Sequence, residues 1–592
     1  MKDKYDVIVV GSGAAGFSTA DWLYTYGIKD ICVVTENVNY GTSRNAGSDK
    51  QTYYKLDICS DEGDSVLEMA RDLCAGGAMN GSDALIEAAN STRCFMRLAG
   101  LGVPFPTDRF GRYAGYRTDH DNTMRATSAG PLTSKYMTEK LQKKVTENGT
   151  EILDGHRVIK LICENNQCGG VICHTDSGMK TLRSKAVILC TGAPAAIYSR
   201  SVYPESQSGA TGLAIEAGAE LSNFQEWQYG MASVKFRWNL SGSYQQVIPR
   251  YYSLSPDGKE AEFLLSAGER AEMYSKVFLK GYQWPFDSRK TEGSSQIDIL
   301  VFRELEKGNR VFLDYRKNSD GFDFSALSDE AKKYLSDADC LAETPIERLE
   351  KLNPKAVKLY ADHGIDLENE PLEISISAQH NNGGIRTDIN SESSVKNLFA
   401  VGEAAGKFGV YRPGGSALND TQVGGLRAAE HLASAIDNIE LKDFEAEPLQ
   451  MPKVSGSPTL INLKKEFSLK MSDCAGIYRD YGRMKELLSE LEELEKNFYE
   501  SVTVSDYSET GEFFSFRLAV MSMISLCRTC IDSAEKIGSR GGSICLKNGE
   551  RLCENEEYRK FITVTCGREV KYVEADAIPD EKAVFEKLLK LN

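Results

Sequence analysis

Tyr5-Asp6-Val7-Ile8-Val9-Val10-Gly11-Ser12-Gly13-Ala14-Ala15-Gly16 is the stretch that decides the fold. A buried-strand pattern runs into a Gly-x-Gly-x-x-Gly turn, and an amphipathic stretch continues to about Tyr26. A second apolar run, Ile31-Cys32-Val33-Val34-Thr35, ends at Glu36, twenty residues after Gly16. Strand, glycine turn, helix, strand and acid in that order are the fingerprint of a dinucleotide-binding βαβ unit, with Glu36 placed for a ribose hydroxyl. A carboxylate rather than a basic side chain at 36 disfavours a 2′-phosphate.

Far down the chain, Leu398-Phe399-Ala400-Val401-Gly402-Glu403 is another short apolar strand ending in Gly-Glu. Tyr411-Arg412-Pro413-Gly414-Gly415-Ser416-Ala417-Leu418 follows and opens onto a helix. Gly414 and Gly415 let backbone come close to a ligand, and the N-terminus of the next helix offers free N–H donors at Ser416, Ala417 and Leu418. Glu403 can accept from sugar hydroxyls, and Arg412 presents a planar fork suited to a carboxylate. Between these two ends, Gly41-Thr42-Ser43-Arg44-Asn45-Ala46-Gly47-Ser48 is a small-residue loop suited to lie against a flat ring.

The 592 residues exceed what one core organises, so two to four structural units are expected. With 41% hydrophobic and 26% charged residues, the composition is that of a globular protein. A net charge of −16 disfavours nucleic acid or an anionic membrane surface as main partner, so an anionic ligand must be drawn in by a local basic site. No apolar run approaches the roughly 20 residues of a spanning helix, and the first strand begins too early for a signal peptide. The fifteen cysteines are scattered and often inside apolar strands, as in a reduced compartment, which sets a cytoplasmic expectation. Cys527-x-x-Cys530, in an apolar helical stretch, reads as structural. There is no haem-attachment or iron–sulfur spacing and no metal-ligand set.

The two glycine-rich segments together resemble the fumarate reductase/succinate dehydrogenase flavoprotein family, which includes L-aspartate oxidase and urocanate- and acrylate-reductase types. The resemblance continues through Ala186–Gly192 (with Thr191 and Gly192), Ser208–Ala219, Met471–Asp480 and Ser539–Gly542, covering about residues 1–545. It implies an α/β fold: a Rossmann-like FAD-binding domain in two parts (1–230 and 377–440), an inserted α+β capping domain (231–376) and a C-terminal helical domain (458–545). Residues 546–592 read as a terminal appendage. The cofactor implied is FAD, contacted by Gly11, Gly13, Ala14, Ala15, Gly16, Glu36, Thr42, Ser43, Arg44, Gly47, Ser48, Val158, Thr191, Gly192, Glu403, Ser416, Ala417 and Leu418. In the covalent members a His follows the loop serine; Arg44 stands there instead, so the flavin is expected to be non-covalent.

In this family a carboxylate substrate is held by an Arg and two His, and a cap Arg supplies a proton. Arg412 matches the carboxylate-binding Arg, and His380, in Gln379-His380-Asn381-Asn382-Gly383-Gly384-Ile385, matches one His. Trp227-Gln228-Tyr229-Gly230 places Gly230 at the other His, which predicts an enlarged space there. Gly293–Asp298 lacks the proton-donating Arg, leaving Arg289, Lys290, Tyr229 and Tyr411 as candidates. The expectation is hydride transfer from FAD N5 to the C=C bond of a 2-enoate bulkier than fumarate, as in anaerobic electron transfer. Alternatives are a dehydrogenase or oxidase of an amino, hydroxy or dicarboxylic acid, or an electron-transfer subunit. With no second dinucleotide fingerprint, electrons must come from an external donor or a partner redox subunit.

Overall fold

A computed structural model describes residues 2–58, 60, 63–118 and 120–580. At its centre lies strand β1 (Lys4–Val10), whose Val7, Ile8 and Val9 are fully buried because both faces of the sheet are covered. Helix α1 (Ala14–Thr25) follows, then β2 (Ile31–Val34), parallel to β1 with Val10 opposite Val34. The sheet extends through β3 (Glu151–Leu153) on one side. On the other lie β6 (Gly178–Leu189), β5 (Gln167–Thr175) and β4 (Arg157–Glu164), giving the order β3-β2-β1-β6-β5-β4. The distant strand Leu398–Ala400 adds parallel to β6, Ala400 opposite Leu189. Val10, Val34, Leu189 and Ala400 therefore end side by side, and the crevice beyond the carboxyl ends of parallel strands is where such sheets bind ligands.

Two glycines of the fingerprint are steric necessities. Gly11 has φ +112°, and a Cβ on it would lie 2.4 Å from the carbonyl oxygen of Cys190. A Cβ on Gly16 would lie 1.9 Å from the Gly11 carbonyl oxygen, so only glycine lets α1 start this close to β1. Helix Ser416–Ala435 packs along α1, which brings the second glycine-rich turn over the first.

The inserted domain is built on an antiparallel sheet ordered Trp227–Ser233, Leu372–Asn381, Arg310–Asp314, Arg250–Leu254 and Glu260–Ala261. The sequence boundaries at 231 and 376 fall inside the first two strands, which carry the chain into and out of the cap as neighbours. Their register is broken: Gln228 pairs with His380 but Tyr229 pairs with Ala378, so Gln379 is the extra residue of a β-bulge.

Helices Leu460–Cys474, Tyr481–Lys496 and Thr510–Lys536 form the helical domain. The expectation that no run is long and apolar enough to span a membrane is corrected by the last of these: Tyr507–Lys536 passes on length and composition. It is largely buried inside the protein, Cys527 and Cys530 included. Of the segment read as an appendage, 546–592, the described residues 546–580 pack into the rest of the fold. Strand Phe561–Cys566 pairs with Leu221–Ser222, which pairs in turn with Gly384–Ile385, and Glu569–Glu574 closes the sheet. The chain then runs on to Gly81, whose amide bonds to the Asp576 carbonyl at 2.9 Å. Residues 581–592 lie outside the described residues.

Candidate active site

A cleft of about 1380 Å³, its open mouth included, runs from the strand ends to the bulged cap strand. Of the residues expected at the cofactor, Gly11, Gly13, Ala15, Glu36, Thr42, Ser43, Val158, Thr191, Gly192, Glu403, Ala417 and Leu418 line it. The lining fits an extended dinucleotide carrying a flavin. A Cβ on Gly13 would meet only the Ser43 side chain, at 3.1 Å, so backbone lies open to a ligand at the start of α1. The hydroxyls of Thr42 and Thr191 are buried without a partner, and such groups are stable only if a ligand or water supplies one.

Other expected residues stand behind the lining. Ala14 donates its amide to Ser43 Oγ at 3.1 Å and so fixes the loop. Gly47 is needed for packing, because a Cβ there would lie 2.6 Å from the Trp238 ring of the cap. Ser48 also lies outside the lining, and Ser416 Oγ caps the Pro413 carbonyl at 2.8 Å. Arg44 turns away from the cleft and donates to Gln142 on the neighbouring helix.

At one end of the cleft, Glu36 is ion-paired with Arg157, which also holds Glu512 at 2.8 Å and Ser515 Oγ at 3.1 Å. Ser515 and Leu518, from the long C-terminal helix, join Arg157 in the lining. Sequence reasoning missed all three, since nothing local marks a helix of another domain as part of a dinucleotide site.

At the other end, Glu403 accepts from Tyr203 Oη and from the Asn381 amide at 2.9 Å. Burial pushes its carboxyl up to about 7. His380 Nε2 lies 3.8 Å from Glu403 Oε1 and has no hydrogen-bond partner. Burial first, then the nearby Arg412 cation, drives the imidazole well below its ordinary range, so it is neutral. Asn382 joins the two expected substrate residues. Its Nδ2 donates to the Val410 carbonyl at 3.0 Å, which aims Oδ1 at Arg412 Nε (3.1 Å) and His380 Nδ1 (3.1 Å). The proton of the imidazole therefore sits on Nδ1, and Nε2 is a bare acceptor.

Arg412 is 8% exposed just behind the lining. Its remaining partners are neutral: Gln228 Oε1 at 2.9 Å and Ser416 Oγ at 3.5 Å. Among the described residues no carboxylate lies within ion-pairing distance of it.

Three expectations meet a different geometry here. The space predicted at Gly230 is filled, since a Cβ there would lie 2.8 Å from both terminal atoms of the Gln379 amide. Tyr229 points away from the cleft, with its hydroxyl bonded to Tyr198 Oη at 2.8 Å and to the Ala475 carbonyl at 3.2 Å. Arg289 lies outside the lining in a two-bond pair with Asp287 (2.9 and 3.1 Å), its guanidinium stacked 3.5 Å from the Tyr411 ring centre. Tyr411 Oη is itself engaged by Asp287 and the Gly541 amide. The segment that lacks the family's Arg holds a different charge: Asp298, fully buried, pairs with Lys280 at 2.7 Å.

Residues 6–418 match the model of the FAD binding domain family. An uncharacterized FAD-dependent oxidoreductase of Methanocaldococcus jannaschii is 22% identical over 94% of this chain and 99% of its own. The fumarate reductase flavoprotein subunit of Haemophilus influenzae is 31% identical over 67% of this chain and 65% of its own. L-aspartate oxidase of Clostridium perfringens is 23% identical over 80% of this chain and 99% of its own. Among solved structures, E. coli quinol fumarate reductase superposes with a TM-score of 0.71 at 19% identity, covering 98% of both chains. The chain belongs to the FAD binding domain family, as a divergent FAD-dependent oxidoreductase of the fumarate reductase/succinate dehydrogenase flavoprotein group.

Proposed function

We propose that this enzyme moves a hydride between FAD and the C=C bond of a 2-enoate other than fumarate, with the substrate carboxylate held by Arg412. The observation that carries this reading is a buried guanidinium, next to the cleft, whose hydrogen bonds all go to neutral groups. Glu403 and Asp420 act on it only from beyond ion-pairing distance, so a ligand anion at contact distance would complete the pairing of a buried cation.

FAD, when bound, supplies the two-electron chemistry. Gly11, Gly13 and the N-terminus of α1 would hold its pyrophosphate, Glu36 a ribose, and Ala417 and Leu418 the ring end. The chain's own residues position the substrate. Arg412 clamps the carboxylate through the same network that orients His380, and His380 Nε2 accepts from a donor at the reacting end. The cap strand Trp227–Ser233 pairs with the strand that carries Gln379 and His380 and so fixes their places. Arg289, tied to Asp287, is a poor acid where it stands, so the proton that completes the reduction comes from solvent water through the open mouth of the cleft. A partner redox subunit or external donor supplies electrons, in keeping with a fumarate reductase relative that is itself named a subunit, and a cytoplasmic location fits the free, mostly buried cysteines.

The test is anaerobic. Photoreduce the bound flavin and follow its reoxidation by a panel of 2-enoates. Reoxidation by at least one enoate, lowered roughly 10²-fold or more in flavin-replete Arg412→Lys, supports the reading. Unchanged rates in that variant would remove it.

A further inference from the structure

We propose that Gln379 sets substrate specificity by accepting a hydrogen bond from a neutral donor, so the preferred substrate carries a hydroxyl, amine or amide N–H where fumarate carries its second carboxylate. This rests on the reading of Arg412 as the clamp for the first carboxylate.

In a regular strand Gln379 and His380 would face opposite sides. The bulge opposite Gln228 and Tyr229 removes that alternation, and both side chains line the same cleft. Glycine at 230 gives the Gln379 amide the room it occupies. Its orientation follows from its partners. Nε2 donates to the Met231 carbonyl at 3.2 Å, an atom that can only accept, and to Asn239 Oδ1 at 2.6 Å. Both amide hydrogens are thereby used, and Oε1 is left buried with no partner. His380 Nε2 is bare for the separate reason given above. Two neighbouring residues of the cleft lining therefore each carry a buried acceptor without a partner.

A carboxylate placed there meets lone pairs only, and His380 resists becoming a donor because Arg412 and burial both oppose its protonation. A hydroxyl, amine or amide hydrogen satisfies an acceptor that is otherwise desolvated and unpaired. Sites built to bond a polar hydrogen reject analogues lacking it by large factors.

The experiment uses the FAD-loaded enzyme and three four-carbon 2-enoates: the diacid, its monoamide and the plain monocarboxylate. Dissociation constants come from the flavin absorbance change. The monoamide should bind at least tenfold more tightly than the diacid. In Gln379→Leu that preference should fall to within threefold, with the plain monocarboxylate changed by less than threefold. A diacid that binds as tightly as the monoamide, or a preference that survives Gln379→Leu at full flavin content, would overturn the proposal. Loss of binding by all three in Arg412→Lys with unchanged discrimination in the parent leaves both readings standing; binding of all three untouched by Arg412→Lys sinks the clamp and this proposal with it.

Discussion

Single residues at the cap end show how one glycine has two consequences. Gly230 removes an imidazole that the family resemblance leads one to expect, and the Gln379 amide moves into its place. Adding a methyl group at 230 would press on an amide already fixed by Met231 and Asn239. Gly230→Ala should therefore lower stability by about 1–3 kcal/mol, read as a shift in the denaturant midpoint. Glu403 offers a pH test. Burial raises its carboxyl from the ordinary 4.5 to about 7. A group whose folded value is raised stabilises most below its unfolded value, and that contribution is lost as pH rises through the folded value. Flavin-free protein should accordingly lose stability between about pH 4.5 and 7 relative to Glu403→Gln, by on the order of 3 kcal/mol at most. Parallel pH profiles for the two proteins would show that Glu403 is ionised throughout.

At the scale of elements, the fingerprint was legible because every constraint in it is local. The Gly16 contact with Gly11, the buried β1 and the start of α1 lie within about a dozen residues of one another, whereas the contact that demands glycine at 11 comes from distant Cys190. The second glycine-rich turn was legible for the same reason. What the sequence did not show is what joins elements across the chain. Phe561–Cys566 has an ordinary strand pattern, and nothing in it names Leu221–Ser222, a two-residue strand, as its partner. The bulge at Gln379 has no sequence signal, because a one-residue slip leaves the apolar alternation of Leu372–Asn381 intact up to its last turn of register. Likewise the apolar helix Thr510–Lys536 reads as core, but not as a wall of the cleft. That wall makes a prediction. Arg157 ties Glu36 on the second strand's end to Glu512 on the helix, so Arg157→Ala should weaken FAD binding by roughly tenfold, about 1.4 kcal/mol. Flavin fluorescence on dilution reads the loss; unaltered retention would make Arg157 a spectator.

For the whole molecule, the question is whether a chain that shares the fold of fumarate reductases end to end shares their reaction. Two features of the site argue that it does not, and they act on one transition state. The cap end of the cleft is lined by Gln379, whose amide hydrogens are already used, and by a neutral His380, neither of which is a ready donor to a second carboxylate. The cap segment that should carry the proton donor holds Asp298 paired with Lys280, and Arg289 is bound to Asp287 outside the cleft. Loss of a positioned proton donor costs roughly 10²–10⁴ in rate, and loss of an orienting contact adds to it. FAD-loaded protein given an artificial donor should therefore turn over fumarate and succinate poorly. Gly230→His alone should not rescue fumarate turnover, since it displaces Gln379 without supplying a proton. The flavin itself should come off the protein on acid precipitation, because Arg44 occupies the place of a linking histidine and faces Gln142. Fumarate reduction at tens per second in the parent enzyme would mean that a second carboxylate finds a donor in this cleft, and that the tautomer assigned to His380 changes when the substrate enters.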